Sequence, residues 1–253
     1  MADINKAVDS GISKVIEDFR EHPQYYFTEE DLRWRLIKEI ENALTVQAAQ
    51  YVRFLGGGVT PAVRAEYPTP FRCSMREHSF RLDLPDSRGK RGHFDIAVLN
   101  ASAAAKCDFE ALRFQDYKVV RKKLLGQEMQ EKLLPFLDAV IEIKLFRDLI
   151  HPNRTRSVQQ QVEYAVQAIK KVAAALEAPR YYHKPFANRG LVLLFDNSDL
   201  VAPGNAELAQ NRFLDTFRES TNWGLLPDTL SCIWVTPQKW EDWHGERPLT
   251  WEW

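Results

Sequence analysis

Cysteine is scarce in this 253-residue chain: three residues, Cys73, Cys107 and Cys232, with no C-x-x-C pair among them. Scattered singly, they offer neither a disulfide framework nor the paired spacing of a structural zinc site, and they fit a reducing compartment. Long apolar runs are lacking too. A stretch such as Leu191 to Phe195 is far shorter than the roughly 20 residues that span a bilayer. The opening Met-Ala-Asp-Ile-Asn-Lys has none of the apolar core of a signal peptide. Nor is one sign of charge in excess: 34 Lys and Arg against 35 Asp and Glu leave a formal net charge of -1, which excludes a generic polycation. A nucleic-acid surface would have to gather its basic residues on one side. The only glycine run, Gly56-Gly57-Gly58, lacks the Gly-Lys-Ser/Thr of a phosphate-binding loop and reads as a helix stop. These absences lead to the expectation of a soluble, cytoplasmic protein with no membrane partner.

What is present is a chain of ordinary globular composition, 45% hydrophobic, long enough to bury a substantial core. Ile4, Val8, Ile12, Val15, Ile16 and Phe19 recur at helical spacing, and His22-Pro23 closes that segment. Thr28 then precedes Glu29, Glu30 and Asp31, an N-cap followed by acids that complement the helix dipole. With Leu32, Leu36, Ile40 and Ala43 as its stripe, this helix is expected to run from about Glu29 to Phe54. Ala62 to Tyr67, between Pro61 and Pro68, reads as a first strand, and Phe80 to Leu84 as a short second one. A basic turn with Arg88, Lys90 and Arg91 feeds a strand from His93 to Leu99.

Alternation is lost over residues 101–137, which read as an insertion with at least one helix between Lys118 and Leu134. A strand follows, then a polar link through His151-Pro152 with Arg154 and Arg156. Ser157 is placed to cap a helix to about Leu176, with Val158, Val162, Ala165, Ile169 and Val172 as its stripe; Pro179 stops it. Gly190 to Phe195 is a further strand, Asn205 to Phe217 a helix and Leu230 to Val235 a final strand. The Trp- and Pro-rich tail from Pro237 is expected to pack over the sheet edge. No repeat or linker-like stretch divides the chain. The expectation is one domain over 1–253, with a core at 28–196 and an extension at 197–253, built as an α/β sheet covered on both faces.

The segment Asp138-Ala-Val-Ile-Glu-Ile-Lys-Leu-Phe146 carries Glu142 and Lys144 at i and i+2 in an otherwise apolar strand. Alternate side chains of a strand share a face, so carboxylate and ammonium project together while Ile141 and Ile143 point the other way. Burying a charge is costly unless it is paired or bound to a metal. A solvated surface pair would need an edge strand, which Val140 and Phe146 on the same face argue against. Asp95, in Gly-His-Phe-Asp-Ile-Ala-Val-Leu, is a second charged residue inside an apolar strand, with His93 two residues before it. Neighbouring strands would set Asp95 beside Glu142, and adjacent carboxylates repel unless a proton or cation intervenes. Hard oxygen donors suit Mg²⁺ or Mn²⁺. Glu29, at the start of the long helix, is a third candidate carboxylate.

In these residues the chain resembles the PD-(D/E)XK nuclease superfamily. Asp95 matches the Asp at a strand end, and Glu142-Ile143-Lys144 matches the Glu-X-Lys of the next strand. Glu29, with Glu30 as the alternative, matches the helical Glu that often completes the family's site. Gln160 and Tyr164, one helical turn apart, resemble the Q-x-x-x-Y element of RecB-like members. The likeness spans roughly residues 28–196. It departs from the family pattern at Phe94, where a Pro is usual, and in the long interval between Asp95 and Glu142. What it implies is a restriction-endonuclease-like core, with helix, three strands, helix and strand in that order. It further implies hydrolysis of DNA phosphodiester bonds with Mg²⁺ or Mn²⁺. Asp95, Glu142, Glu29 and the carbonyl of Ile143 would hold the ion, Lys144 would orient water and offset phosphate charge, and Gln160 and Tyr164 would support substrate. Arg88, Lys90, Arg91, Arg154 and Arg156 flank the charged strands and are candidate phosphate contacts. Such a chain would act alone, as a homodimer, or as a subunit of a restriction, repair or defence complex. The alternative is a catalytically inactive relative of that fold used to bind DNA or assemble a complex.

Overall fold

A computed structural model describes residues 3–74, 79–81, 90–106, 135–147, 158–177, 185–200, 206–221, 226–238, 240–244 and 247–249. Helix α1 (Ile4–Glu21) opens at the Asp3 cap and buries Val8, Ile12, Val15, Ile16 and Phe19, the stripe expected from spacing. Helix α2 (Glu29–Val46) starts at a reciprocal capping box: Asp31 N–H donates to Thr28 Oγ1, and the Asp31 carboxylate accepts from the Thr28 amide. The two helices pack so closely that a Cβ on Gly11 would stand 2.9 Å from the backbone nitrogen of Ile40.

Helix α2 ends at Val46 rather than Phe54. Ala48 turns the chain at φ 53°, and strands β1 (Tyr51–Arg53) and β2 (Val59–Pro61) form a hairpin. The glycine run is the tip of that hairpin, with Gly57 at φ 81° and the Phe54 amide donating to Gly58. Only Val52 of Tyr51-Val52-Arg53 is buried, which is strand alternation and not a continuation of the helical stripe.

Strands β3 (Val63–Ser74), β4 (Ser79–Arg81), β5 (Lys90–Leu99), β6 (Leu137–Phe146), β7 (Ala187–Asp196), β8 (Leu230–Val235), β9 (Trp240–His244) and β10 (Arg247–Leu249) make one mixed sheet in the order β10-β9-β8-β7-β6-β5-β3-β4. The β6–β7–β8 pairings are parallel and the others antiparallel. Strand β3 passes through Pro68 instead of stopping there. It pairs with β5 through Pro68↔His93, and its register shifts between Pro68 and Arg72, where the pairing with β4 begins. Strand β8 is not the last, because the tail adds β9 and β10 at the sheet edge.

A short helix α3 (Ala101–Ala104) follows β5, capped by Asn100. Helix α4 (Val158–Leu176) links β6 to β7, and α5 (Ala206–Ser220) links β7 to β8. Gly190 lets α4 approach, since a Cβ there would lie 2.2 Å from Val172 Cγ1. Phe195, of opposite parity on the same strand, meets Phe19 of α1 with ring centroids 4.9 Å apart. The sheet is therefore a central layer, with α1 and α2 on one face and α4 and α5 on the other. Helix α5 closes its side through Phe213, tilted against Phe146 and stacked on Trp234 with ring centroids 4.9 Å apart in each pair. Among the described residues no helix is long and apolar enough to cross a membrane. The expected helix between Lys118 and Leu134 lies outside the described residues, as do Ser157, His151 and Pro179.

Candidate active site

Strand β6 carries Glu142 and Lys144 on the face turned to α4, in register with Val192 and Leu194 of β7. Glu142 is 1% exposed and Lys144 6%, so both are buried, as the apolar context requires. The adjacent strand brings Asp95 across from Glu142. The β5–β6 ladder runs to Ile96↔Ile141, and there side chains take over the backbone groups. Ile143 N–H donates to Asp95 Oδ2 at 2.8 Å, and Asp95 N–H donates to Glu142 Oε1 at 3.3 Å. On the other flank, Ala65 and Tyr67 pair with Ile96 and Phe94, but the Glu66 between them adopts φ 49°. A non-glycine residue in that region is strained. The backbone around Asp95 is thus irregular on both sides.

Three elements converge on Lys144. Its Nζ lies 3.5 Å from Glu29 Oε2, 3.8 Å from Asp95 Oδ2 and 3.8 Å from Glu142 Oε2. It also donates to the Ile143 carbonyl at 2.6 Å and sits 4.7 Å from the centroid of the Tyr164 ring, a cation–π distance. Glu29 arrives because the Thr28–Asp31 box fixes the start of α2, and the Leu145 amide donates to Glu29 Oε1 at 3.4 Å. Of the two helical candidates, Glu29 is the one in the cluster; Glu30 pairs with Arg33. Tyr164 is brought in and Gln160 is solvent-exposed one turn earlier on α4. Lys90 and Arg91 begin β5, opposite Cys73 and Arg72 of β3, with their side chains outside the described residues. Arg88, Arg154 and Arg156 lie wholly outside them. His93 is exposed, and its carbonyl accepts from Lys171 at 2.7 Å.

Two cations in this cluster were not expected from the sequence. Lys171 Nζ lies 2.5 Å from Glu142 Oε1. It is seven residues beyond Tyr164, two helical turns, and that spacing alone places it on the face that meets β6. Arg33, one turn beyond Glu29, contacts Glu30 and Glu66 and lies 3.6 Å from Asp95 Oδ1. Its i+4 relation to Glu29 is likewise readable from the chain.

The electrostatics follow from burial. Desolvation pushes the Glu142 carboxyl up to about 7, with Asp95 adding to the rise and Lys171 and Lys144 opposing it. Burial alone would discharge Lys144, but Glu142, Glu29 and Asp95 together overcome it and hold the ammonium above the usual lysine range. The two shifts have one origin: an anion without water on one side, and a cation surrounded by anions on the other. Among the described residues no group of three or more His, Cys, Asp and Glu side chains stands arranged to hold a metal ion. The oxygens of Glu29, Asp95, Glu142 and Ile143 surround the ammonium of Lys144 instead. As a donor set, three carboxylates and a carbonyl are the hard oxygens that Mg²⁺ and Mn²⁺ prefer. No protein-family model matches the chain, and neither the curated proteins nor the solved structures contain a match to it.

Proposed function

We propose that this protein is a divalent-cation-dependent nuclease with a restriction-endonuclease-like core that hydrolyses DNA phosphodiester bonds. The observation that carries the reading is the meeting of Glu29, Asp95 and Glu142, from one helix and two strands, around Lys144 Nζ at 3.5–3.8 Å. Their identities and order are those of the PD-(D/E)XK resemblance, and a core sheet tolerates such charges only where they interact with one another or with an ion. Asp95, Glu142, Glu29 and the Ile143 carbonyl would hold Mg²⁺ or Mn²⁺. A bound ion there supplies Lewis acidity toward a phosphoryl oxygen and a water of lowered pKa.

The chain's own groups do the remainder. Lys144 would turn its ammonium to the phosphate, offset developing negative charge there and orient the attacking water. The Tyr164 ring limits where that ammonium can go. Gln160, exposed on the same helix face, contacts the strand being cut. Lys90 and Arg91 at the start of β5, with Arg88, Arg154 and Arg156, supply phosphate contacts. DNA is preferred to RNA on the superfamily resemblance, and cutting both strands of a duplex would favour a homodimer.

One observation favours a second reading. Lys144, Lys171 and Arg33 already neutralise the carboxylates, as they would in an inactive nuclease-like subunit that binds DNA or assembles a complex. Plasmid cleavage with Mg²⁺ and Mn²⁺ separates the two. The nuclease reading expects cleavage that EDTA abolishes and that Glu142→Ala and Lys144→Ala each reduce by ~10²-fold or more. No cleavage of any DNA form, or cleavage indifferent to both substitutions, leaves only the binding reading.

A further inference from the structure

We infer that Lys171 is a positioning residue that assigns different tasks to the two oxygens of Glu142. The inference deepens the proposed function and rests on its claim that Glu142 is a metal ligand. Glu142 Oε1 receives the Lys171 ammonium at 2.5 Å and the Asp95 amide at 3.3 Å. Oε2 is the oxygen turned to the cluster, 3.8 Å from Lys144 Nζ. Lys171 in turn is anchored at 2.7 Å to the His93 carbonyl, two residues from Asp95 on the same strand. One ammonium therefore ties helix α4 to β5 and clamps the Glu142 carboxylate between them.

The geometry is more than charge neutralisation. A carboxylate on a two-carbon stem can rotate, and rotation would exchange the oxygen facing the cluster. Two donors on Oε1 from different elements prevent this, because a charge-assisted hydrogen bond fixes direction as well as distance. Lys171 is 16% exposed in its side chain and Glu142 1%, so water cannot replace the lost donor readily. Groups that orient a metal ligand in this manner typically matter by 10–100-fold in metal affinity when removed. Lys171 touches neither the reacting phosphate nor the ion; it acts through Glu142.

Mn²⁺ titration of the full chain, followed by electron paramagnetic resonance alongside thermal melting, tests this. Lys171→Met is expected to weaken Mn²⁺ binding by roughly 10-fold or more, a change a purely structural lysine would not produce. Lys171→Arg, which keeps charge and donors, is expected to restore affinity to within a few fold. Should Lys171→Met fail to fold, Lys171→Gln carries the same expectation of weakened binding. Wild-type affinity in the folded Met or Gln variant overturns the inference. If Glu142→Ala abolishes binding in that same experiment, the metal reading survives and only the role of Lys171 falls. Absence of Mn²⁺ binding to the wild type removes both.

Discussion

Glu142 has 1% of its surface exposed and two charged side chains within 4 Å, and its proton affinity reports on the site more directly than any other residue's. Its carboxyl titrates near 7 in the folded protein against an ordinary 4.5, so between those values the folded state binds more protons than the unfolded one. The associated stability is fully present below about 4.5 and is lost as pH rises through about 7. A shift of that size corresponds to about 3 kcal/mol. Lys144 works in another window, its contribution being present at neutral pH and lost only in alkali above the ordinary lysine range. Urea unfolding of wild type and Glu142→Gln should therefore diverge in pH dependence. The variant gains by about 3 kcal/mol relative to wild type between pH 4.5 and 8, whereas a constant difference would mean that Glu142 is not desolvated in solution.

At the scale of elements, the site depends on how closely α2 can lie on the sheet, since Glu29 and Arg33 both reach the cluster from that helix. Gly11 sets the α1–α2 spacing. A Cβ there would meet the backbone nitrogen of Ile40 at 2.9 Å, which no side-chain rotation relieves. Gly11→Ala is expected to destabilise the fold by about 1–3 kcal/mol, seen as a lowered Tm, although alanine is the better helix former. An unchanged or raised Tm would mean that the helices separate freely. The elements differ in how plainly the sequence announced them. The stripes of α1 and α4 and the strands around Asp95 and Glu142 span several periods each, enough for a pattern to repeat. Tyr51–Arg53 and Val59–Pro61 are three residues each, too short to show a period, so the glycine turn between them resembles a helix stop. Pro68 suggested a strand end because a proline ordinarily interrupts a ladder, and the register shift between Pro68 and Arg72 by which β3 runs on past it arises from pairing with a strand distant in sequence.

For the molecule as a whole, the mixed sheet between two helical layers is what places Asp95, Glu142 and Glu29 together, and their sequence separations show why only part of this was legible. Strand alternation puts Asp95 and Glu142 each on a face, and antiparallel neighbours bring the faces together. Lys171 and Arg33 were missed because a lysine or arginine on an amphipathic helix ordinarily marks the solvated side. The spacing of Lys171 from Tyr164 and of Arg33 from Glu29 was the signal that could have found them, and the packed structure shows them against Glu142 and Asp95. The central claim, that this cluster is a divalent-cation site and not a self-neutralised ion network, is tested most directly by anomalous diffraction from a crystal soaked in Mn²⁺. The account expects an anomalous peak bonded to Asp95 and Glu142, with the Lys144 ammonium moved off their oxygens. A map without a peak at these carboxylates, with Lys144 still held among Glu29, Asp95 and Glu142, would contradict it.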